Sequence, residues 1–246
     1  MKMPVRVSIV IPTYNEKENI QQLIPKIEAI DEEDARVGMH IIIVDDESPD
    51  GTAEEAEKFA RKYGNITVIR RPGKLGIGSA YKDGFKVAKS LGCDVLFEMD
   101  ADLSHDPKFI VDFIEKIFQG YNLVIGSRYI QGGSILGWPF RRRMVSKGAN
   151  FLARLLLGLD VKDATSGYRA FDSKILEKVD FPSIKSDGYM FQVETIYRCK
   201  KAGLKIGETP ITFVDRRLGT SKLGLIDVLK FAGGLISLLI DRIGLA

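Results

Sequence analysis

The sequence predicts an α/β protein with a mostly parallel central sheet flanked by helices. Five apolar, β-branched runs recur in its first half, and helical patterns separate them. Strands that are continuously apolar and alternate with helices form parallel sheets covered on both faces. A polar stretch, most often holding Gly or Pro, follows each run, where such sheets bind ligands.

The runs are VRVSIVI (5–11), MHIIIV (39–44), ITVIR (66–70), CDVLFEM (93–99) and NLVIG (122–126). Helical patterns lie near 16–30, 52–63, 76–90 and 107–118. The segments that close the strands are PTYNE, DDESPDGT, RPGKLGIGSA, DADLSHDP and GSRY. Turn and cap chemistry explains any one of them, as in Asp50-Gly51-Thr52, but five in register point to a ligand site.

Beyond residue 126, YIQGGSILGWPF (129–140) reads as a glycine-rich loop with the only tryptophan. Residues 141–160 read as an amphipathic helix. Arg143, Lys147, Asn150 and Arg154 are spaced along one polar stripe, with Met144, Phe151, Leu152, Leu155 and Leu159 elsewhere. A loop and strand follow at 163–171, then a helix near 188–202 and a strand near 205–214. In the C-terminal helix, Asp227, Lys230, Gly234, Ser237 and Asp241 form a narrow stripe in an otherwise apolar surface. Its longest uncharged run, 231–240, falls short of the roughly 20 residues a bilayer needs. This helix packs on the domain, lies in a membrane interface or meets a partner.

The 246 residues suffice for a substantial core. Two cysteines without metal spacing argue against a disulfide framework, and the N-terminus lacks the apolar length of a secretory signal. Residues 1–125 carry 16 Lys and Arg against 22 Asp and Glu, and residues 126–246 carry 20 against 11. An acidic half beside a basic half suggests a cation-handling region next to an anion-handling one; two solvated surfaces of opposite sign account for the counts equally well.

Asp100 and Asp102 end the fourth strand. Two carboxylates there suit Mg²⁺ or Mn²⁺ held jointly with a diphosphate, because hard cations take oxygen ligands and share them with phosphate. His105 reads as a solvent-facing or hydrogen-bonding residue and not a metal ligand, since no second imidazole accompanies it. GKLGIGSA lacks the endings of a P-loop or a dinucleotide fingerprint, and no G-x-S-x-G elbow occurs. The absence of interleaved surface aromatics disfavours nucleic acid.

IPTYNE, VDDESPDGT, KLGIGSA, DADLSH, GSRY, TSGYRAF, GYMFQVE and FVDRRLGTSKL together resemble the polyprenol-phosphate (dolichol-phosphate) mannosyltransferases, inverting family 2 glycosyltransferases of GT-A fold. The resemblance runs from about residue 5 to 225. It implies a catalytic domain over 1–222, with a nucleotide-binding half to about 126 and an acceptor half from about 127, then an apolar helix over 223–246. By resemblance, Pro12, Tyr14, Glu16, Val44 and Asp46 hold the nucleoside of GDP-mannose. Asp100, Ala101 and Asp102 lie along metal and diphosphate, with Ser104 as third metal ligand. Arg128, Arg216 and Lys222 bind donor phosphates, and Arg128, Arg142 and Ser146 hold the acceptor lipid's phosphate. Asp100, Asp102 and Arg128 are the expected catalytic residues. The implied partners are GDP-mannose, a polyprenyl or dolichyl phosphate, the membrane surface and a small membrane anchor subunit. The implied location is cytoplasmic and peripheral to the membrane. A UDP-glucose-dependent relative, a non-catalytic nucleotide-sugar-binding subunit and a structural subunit remain alternatives.

Overall fold

The computed structural model describes residues 4–215 and 225–244. Strand β1 (Val5–Thr13) lies near the middle of a seven-stranded sheet and pairs in parallel with β2 (Val37–Asp45) and β4 (Val95–Glu98). β3 (Ile66–Arg70) extends the β2 edge. On the other side come β7 (Arg169–Asp172), β5 (Leu123–Ser127) and β8 (Ile206–Pro210), giving the order β3-β2-β1-β4-β7-β5-β8. Only β7 runs antiparallel.

Because side chains alternate along a strand, the apolar runs feed two cores. Ile9, Ile11, Ile41, Ile43 and Phe97 face α1 (Lys17–Glu33) and α4 (Ile110–Phe118), whereas Val10, Ile42 and Leu96 face α3 (Ile77–Ser90) and α7 (Gly188–Lys201). α2 (Thr52–Tyr63) packs against β3. Gly84 brings α3 directly onto Val10, because a Cβ there would collide with the valine.

The second half departs from the expectations in several places. The loop at 129–140 contains β6 (Ser134–Leu136), and the strand near 205–214 is two: β8 leaves the main sheet at Pro210, and β9 (Thr212–Val214) pairs with β6. A short α6 (Ile175–Lys178) follows β7. The basic helix α5 (Phe140–Leu157) stops at Gly158, whose φ of +65° suits glycine, so Leu159 leaves the helix and enters the core.

Its expected polar stripe splits: Arg143, Lys147 and Arg154 are exposed, but Asn150 turns inward. Asn150 is buried against Thr165, while Met144, Phe151, Leu152 and Leu155 are exposed. In α8 (Leu225–Arg242), packed on α5 and α7, the polar stripe splits in the same sense. Gly234 meets Met190 and Asp241 accepts from the Tyr197 hydroxyl at 2.6 Å, whereas Leu229, Ile236 and Ile240 face outward. No helix among the described residues is long and apolar enough to cross a membrane.

Candidate active site

The carboxyl ends of β1, β2 and β4 share a backbone signature. Among the described residues, the three non-glycine positions with left-handed backbone are Asn15, Glu47 and Leu103, one just past each of these strands. Such conformations persist where surrounding structure enforces them, and they cluster at functional sites.

Leu103 lies between Asp102 and Ser104, and the turn it makes ties them together. The Ser104 N–H and hydroxyl both donate to Asp102 Oδ1, at 3.1 and 2.6 Å. Ser104 therefore holds the Asp102 carboxylate through its proton. The Asp100 N–H donates to His105 Nδ1 at 3.0 Å, so the imidazole proton sits on Nε2, 3.7 Å from Asp100 Oδ2. Burial lowers the His105 pKa despite the opposing pull of Asp100 and Asp102, and the ring stacks on Tyr168 with centroids 4.8 Å apart. His105 is thus buried and hydrogen-bonded, not solvent-facing, and serves as a neutral support for the carboxylate pair.

Deeper in the sheet, Glu98 on β4 faces Arg169 on β7. The Arg169 guanidinium donates to the carbonyls of Ser166, Gln192 and Ala164, clamping the 163–167 loop to α7. Burial pushes the Glu98 carboxyl up to about 7, with Arg169 pulling the other way. Asp100, two residues on, reaches the edge of a cavity of about 190 Å³.

Asp102, Arg128 and Arg142 line the same cavity, with Trp138 and Tyr189. Arg128 is locked by Asp163: Nε donates to Oδ2 at 2.7 Å and Nη2 to Oδ1 at 2.6 Å, with Nη2 also reaching Thr165 Oγ1 at 2.9 Å. Both side chains are almost fully buried. Burial opposes the Arg128 charge, but Asp163 outweighs it and raises the arginine's pKa. Arg142 donates to Asp215 at 2.8 Å and lies 4.1 Å above the Trp138 ring. Ser146 accepts from the Tyr129 hydroxyl at 2.7 Å, leaving its own proton to donate.

A second, larger cavity of about 480 Å³ adjoins the first and shares Arg128, Trp138, Arg142, Thr165 and Tyr189 with it. Ser146 lines this one, and its remaining walls are apolar residues of α5 and α8, such as Leu152, Leu156, Phe231 and Leu235.

The expected donor residues lie at the ends of β1 and β2. Tyr14 is exposed, with Lys74 Nζ 4.4 Å from its ring, and Glu16 accepts from Asn19 at 2.5 Å. Val44 and Ala101 have buried side chains, so only their backbones can face a ligand; Pro12 is half-buried beside Val44 in the sheet register. Asp46 accepts from Arg71 Nε at 2.6 Å, an ion pair the sequence reading missed although Arg71 directly follows β3. Asp163, Trp138 and Tyr189 were also missed as site residues, though each lies in or beside a quoted motif. Arg216 and Lys222 lie outside the described residues.

Among the described residues, no group of three or more His, Cys, Asp or Glu is arranged around a metal. The donors that the Asp100–Asp102 pair offers are oxygens, and both residues face a cavity with room for phosphate and water, which fits a hard divalent cation completed by substrate oxygens.

Residues 8–180 match the family Glycosyl transferase family 2. Over 219 residues the chain is 41% identical to "Polyprenol monophosphomannose synthase" of Mycolicibacterium smegmatis, covering 89% of this chain and 81% of that protein. It is also 41% identical, over 220 residues, to "Undecaprenyl-phosphate mannosyltransferase" of Micrococcus luteus, covering 89% and 88%. Its structure resembles mannosyl-3-phosphoglycerate synthase from Rubrobacter xylanophilus, with a TM-score of 0.71 and 19% identity over 98% of this chain and 76% of that one. Glucosyl-3-phosphoglycerate synthase from Mycobacterium tuberculosis, crystallised with Mn²⁺, UDP-glucose and phosphoglyceric acid, gives 0.66 and 21% over 98% and 80%. At such identities the structural likeness concerns the fold, and it agrees with the GT-A class expected from the sequence.

Proposed function

This chain belongs to glycosyl transferase family 2 and is a glycosyltransferase; we propose that it moves mannose from GDP-mannose to the phosphate of a polyprenyl phosphate, giving polyprenyl-phosphate mannose and GDP. The observation that carries this reading is the pair of adjoining cavities: a polar one with two carboxylates opens past two arginines into an apolar one. A phosphate on a long isoprenoid needs that sequence of environments. The names of the two relatives support the same acceptor and sugar.

The chemistry suits the residues. A phosphomonoester is largely dianionic near neutral pH, so an oxygen lone pair forms the new bond to the anomeric carbon without surrendering a proton to the protein. The bond from that carbon to the diphosphate breaks, and its electron pair leaves with GDP. The protein must hold two anions together and in line. Arg128, held in one orientation by Asp163, screens both phosphates, and Arg142 and Ser146 hold the acceptor's. Asp100 and Asp102, with Ser104 orienting the latter, would hold Mg²⁺ or Mn²⁺, which when bound neutralises charge on the departing diphosphate. Pro12, Tyr14, Glu16, Val44 and Asp46 would seat the nucleoside, with Arg216 and Lys222 on donor phosphates.

In this reading residues to about 126 form the donor half, 127–222 the acceptor half, and the final helix adds the second wall of the apolar cavity. Arg141, Arg143, Lys147 and Arg154 lie exposed on α5 beside Met144, Phe151 and Leu155. Basic and apolar residues mixed on one surface suit an anionic lipid interface, and support a peripheral, cytoplasmic-face location.

The test is to incubate the protein with GDP-mannose or UDP-glucose, a polyprenyl phosphate and Mg²⁺ or Mn²⁺, and to identify the lipid product. Mannosyl lipid from GDP-mannose, lost on chelation, is expected; glucosyl lipid from UDP-glucose would replace the donor assignment. Asp102→Asn should lower turnover at limiting metal at least about a hundredfold while leaving the melting temperature nearly unchanged, because a neutral amide is a poorer ligand for a hard cation.

A further inference from the structure

Trp138 is the only tryptophan in the chain. It lies between β6 and α5, next to Gly137, whose φ of +87° favours glycine, and Pro139. The residue is only 7% exposed, yet its indole nitrogen is buried with no hydrogen-bond partner among the described residues. A buried donor left unpaired costs stability, so a fold that keeps one invites an explanation.

The surroundings supply it. The Arg142 guanidinium lies 4.1 Å from the indole centroid and that of Arg128 5.2 Å, while Phe213 packs edge-on at 5.2 Å. The ring therefore fixes both arginines by cation–π contact. It also lines both the carboxylate cavity and the apolar one. Both arginines already face carboxylates, Asp163 and Asp215, so the cationic field at this junction is partly cancelled. An anion arriving there gains from a further neutral donor.

We infer that Trp138 is a binding residue for the acceptor's phosphate: its Nε1–H donates to one phosphate oxygen, and its ring holds Arg128 and Arg142 where they meet the others. The inference rests on the polyprenyl phosphate reading above. A donor diphosphate has the same oxygen chemistry, but Trp138 also walls the apolar cavity that suits an isoprenoid chain, which favours the acceptor.

As the only indole, Trp138 reports on its own site. Wild-type protein is titrated with a polyprenyl phosphate in detergent, without donor, and tryptophan emission is followed. The emission should change and saturate near the acceptor's KM, and neither the unphosphorylated polyprenol nor GDP-mannose should reproduce that change. Trp138→Phe keeps an aromatic ring and removes the N–H. Its KM for polyprenyl phosphate should rise about tenfold, the scale of a hydrogen bond to a charged group, with the KM for GDP-mannose within about twofold. Its melting temperature should not fall through loss of the donor, because that N–H had no partner to lose. An unchanged acceptor KM in Trp138→Phe, or emission that answers to GDP-mannose and not to polyprenyl phosphate, overturns the inference alone. If wild-type protein transfers no sugar to polyprenyl phosphate, the parent reading falls and takes this one with it. The emission titration needs no variant, so a misfolded Trp138→Phe would still leave the inference open to refutation.

Discussion

Helices α4 and α5 both carry amphipathic patterns, yet α4 buries most of its large apolar residues and α5 leaves most of its own outside. α4 buries Ile110, Phe113, Ile114 and Ile117. α5 buries Asn150, Ala153 and Leu157 and leaves Met144, Val145, Phe151, Leu152 and Leu155 outside. On α4, apolar surface goes into a core under the sheet. On α5 it lines an apolar cavity or faces outward, and α8 repeats the pattern with Leu229, Ile236 and Ile240. A large exposed apolar face beside exposed arginines is the kind of surface that meets an apolar ligand or interface, in keeping with the proposed lipid acceptor.

The sharpest way to break this contrast is to place the same charge on each helix. Ile114→Asp should abolish folding, because an unpaired buried carboxylate costs several kcal/mol out of a typical total of about 5–15. Leu155→Asp should leave stability within about 0.5 kcal/mol and weaken binding to anionic vesicles. Urea denaturation and vesicle co-sedimentation measure both; equal destabilisation at the two sites would remove the distinction between the helices.

The second test concerns ion pairs. Both halves of the chain hold an arginine against a carboxylate: Arg71 with Asp46 in the first, Arg128 with Asp163 in the second. Asp163 is fully buried, whereas Asp46 keeps some exposure. Asp163→Asn should therefore cost about 3–5 kcal/mol by leaving Arg128 an uncompensated buried cation. Asp46→Asn should cost less, because Arg71, although equally buried, keeps Asp83 at 3.5 Å, and should act mainly on the KM for the nucleotide sugar. Denaturant midpoints and donor kinetics compare them, and equal stability losses would show that the second carboxylate does not separate the pairs.

The smallest effect is expected at Arg142. Lysine keeps the charge but cannot reproduce the planar guanidinium that donates to Asp215 while lying over the Trp138 ring. Arg142→Lys should lower kcat/KM for polyprenyl phosphate about tenfold, with Arg141→Lys much nearer wild type. Steady-state kinetics with donor and acceptor varied separately decide it; a loss confined to the donor would move Arg142 out of the acceptor site.

The first five strands were legible because a parallel strand buried on both faces must be apolar throughout, and little else in a soluble chain looks so. The carboxylate pair was legible for a related reason: charge at the end of such a strand stands out. The partners of the charged groups were not. Nothing local in DATSGYRAF says that Asp163 will reach Arg128, 35 residues earlier, and nothing in FVDRR says that Asp215 will meet Arg142, 73 residues earlier. Asn150 fits a solvent-facing stripe by spacing alone, and its burial depends on Thr165 offering it hydrogen bonds.

The sequence by itself determined the alternation of strands and helices, the place of the Asp100–Asp102 pair past a strand end and the acidic character of one half against the basic character of the other. These follow from short-range periodicity and from side-chain chemistry carried by each residue wherever it goes. The tertiary structure alone decided which face of α5 and α8 turns inward, which carboxylate each buried arginine meets and where Trp138 stands between two cavities. Those are long-range pairings, and a helix's pattern states that it has two faces without stating what lies beyond either.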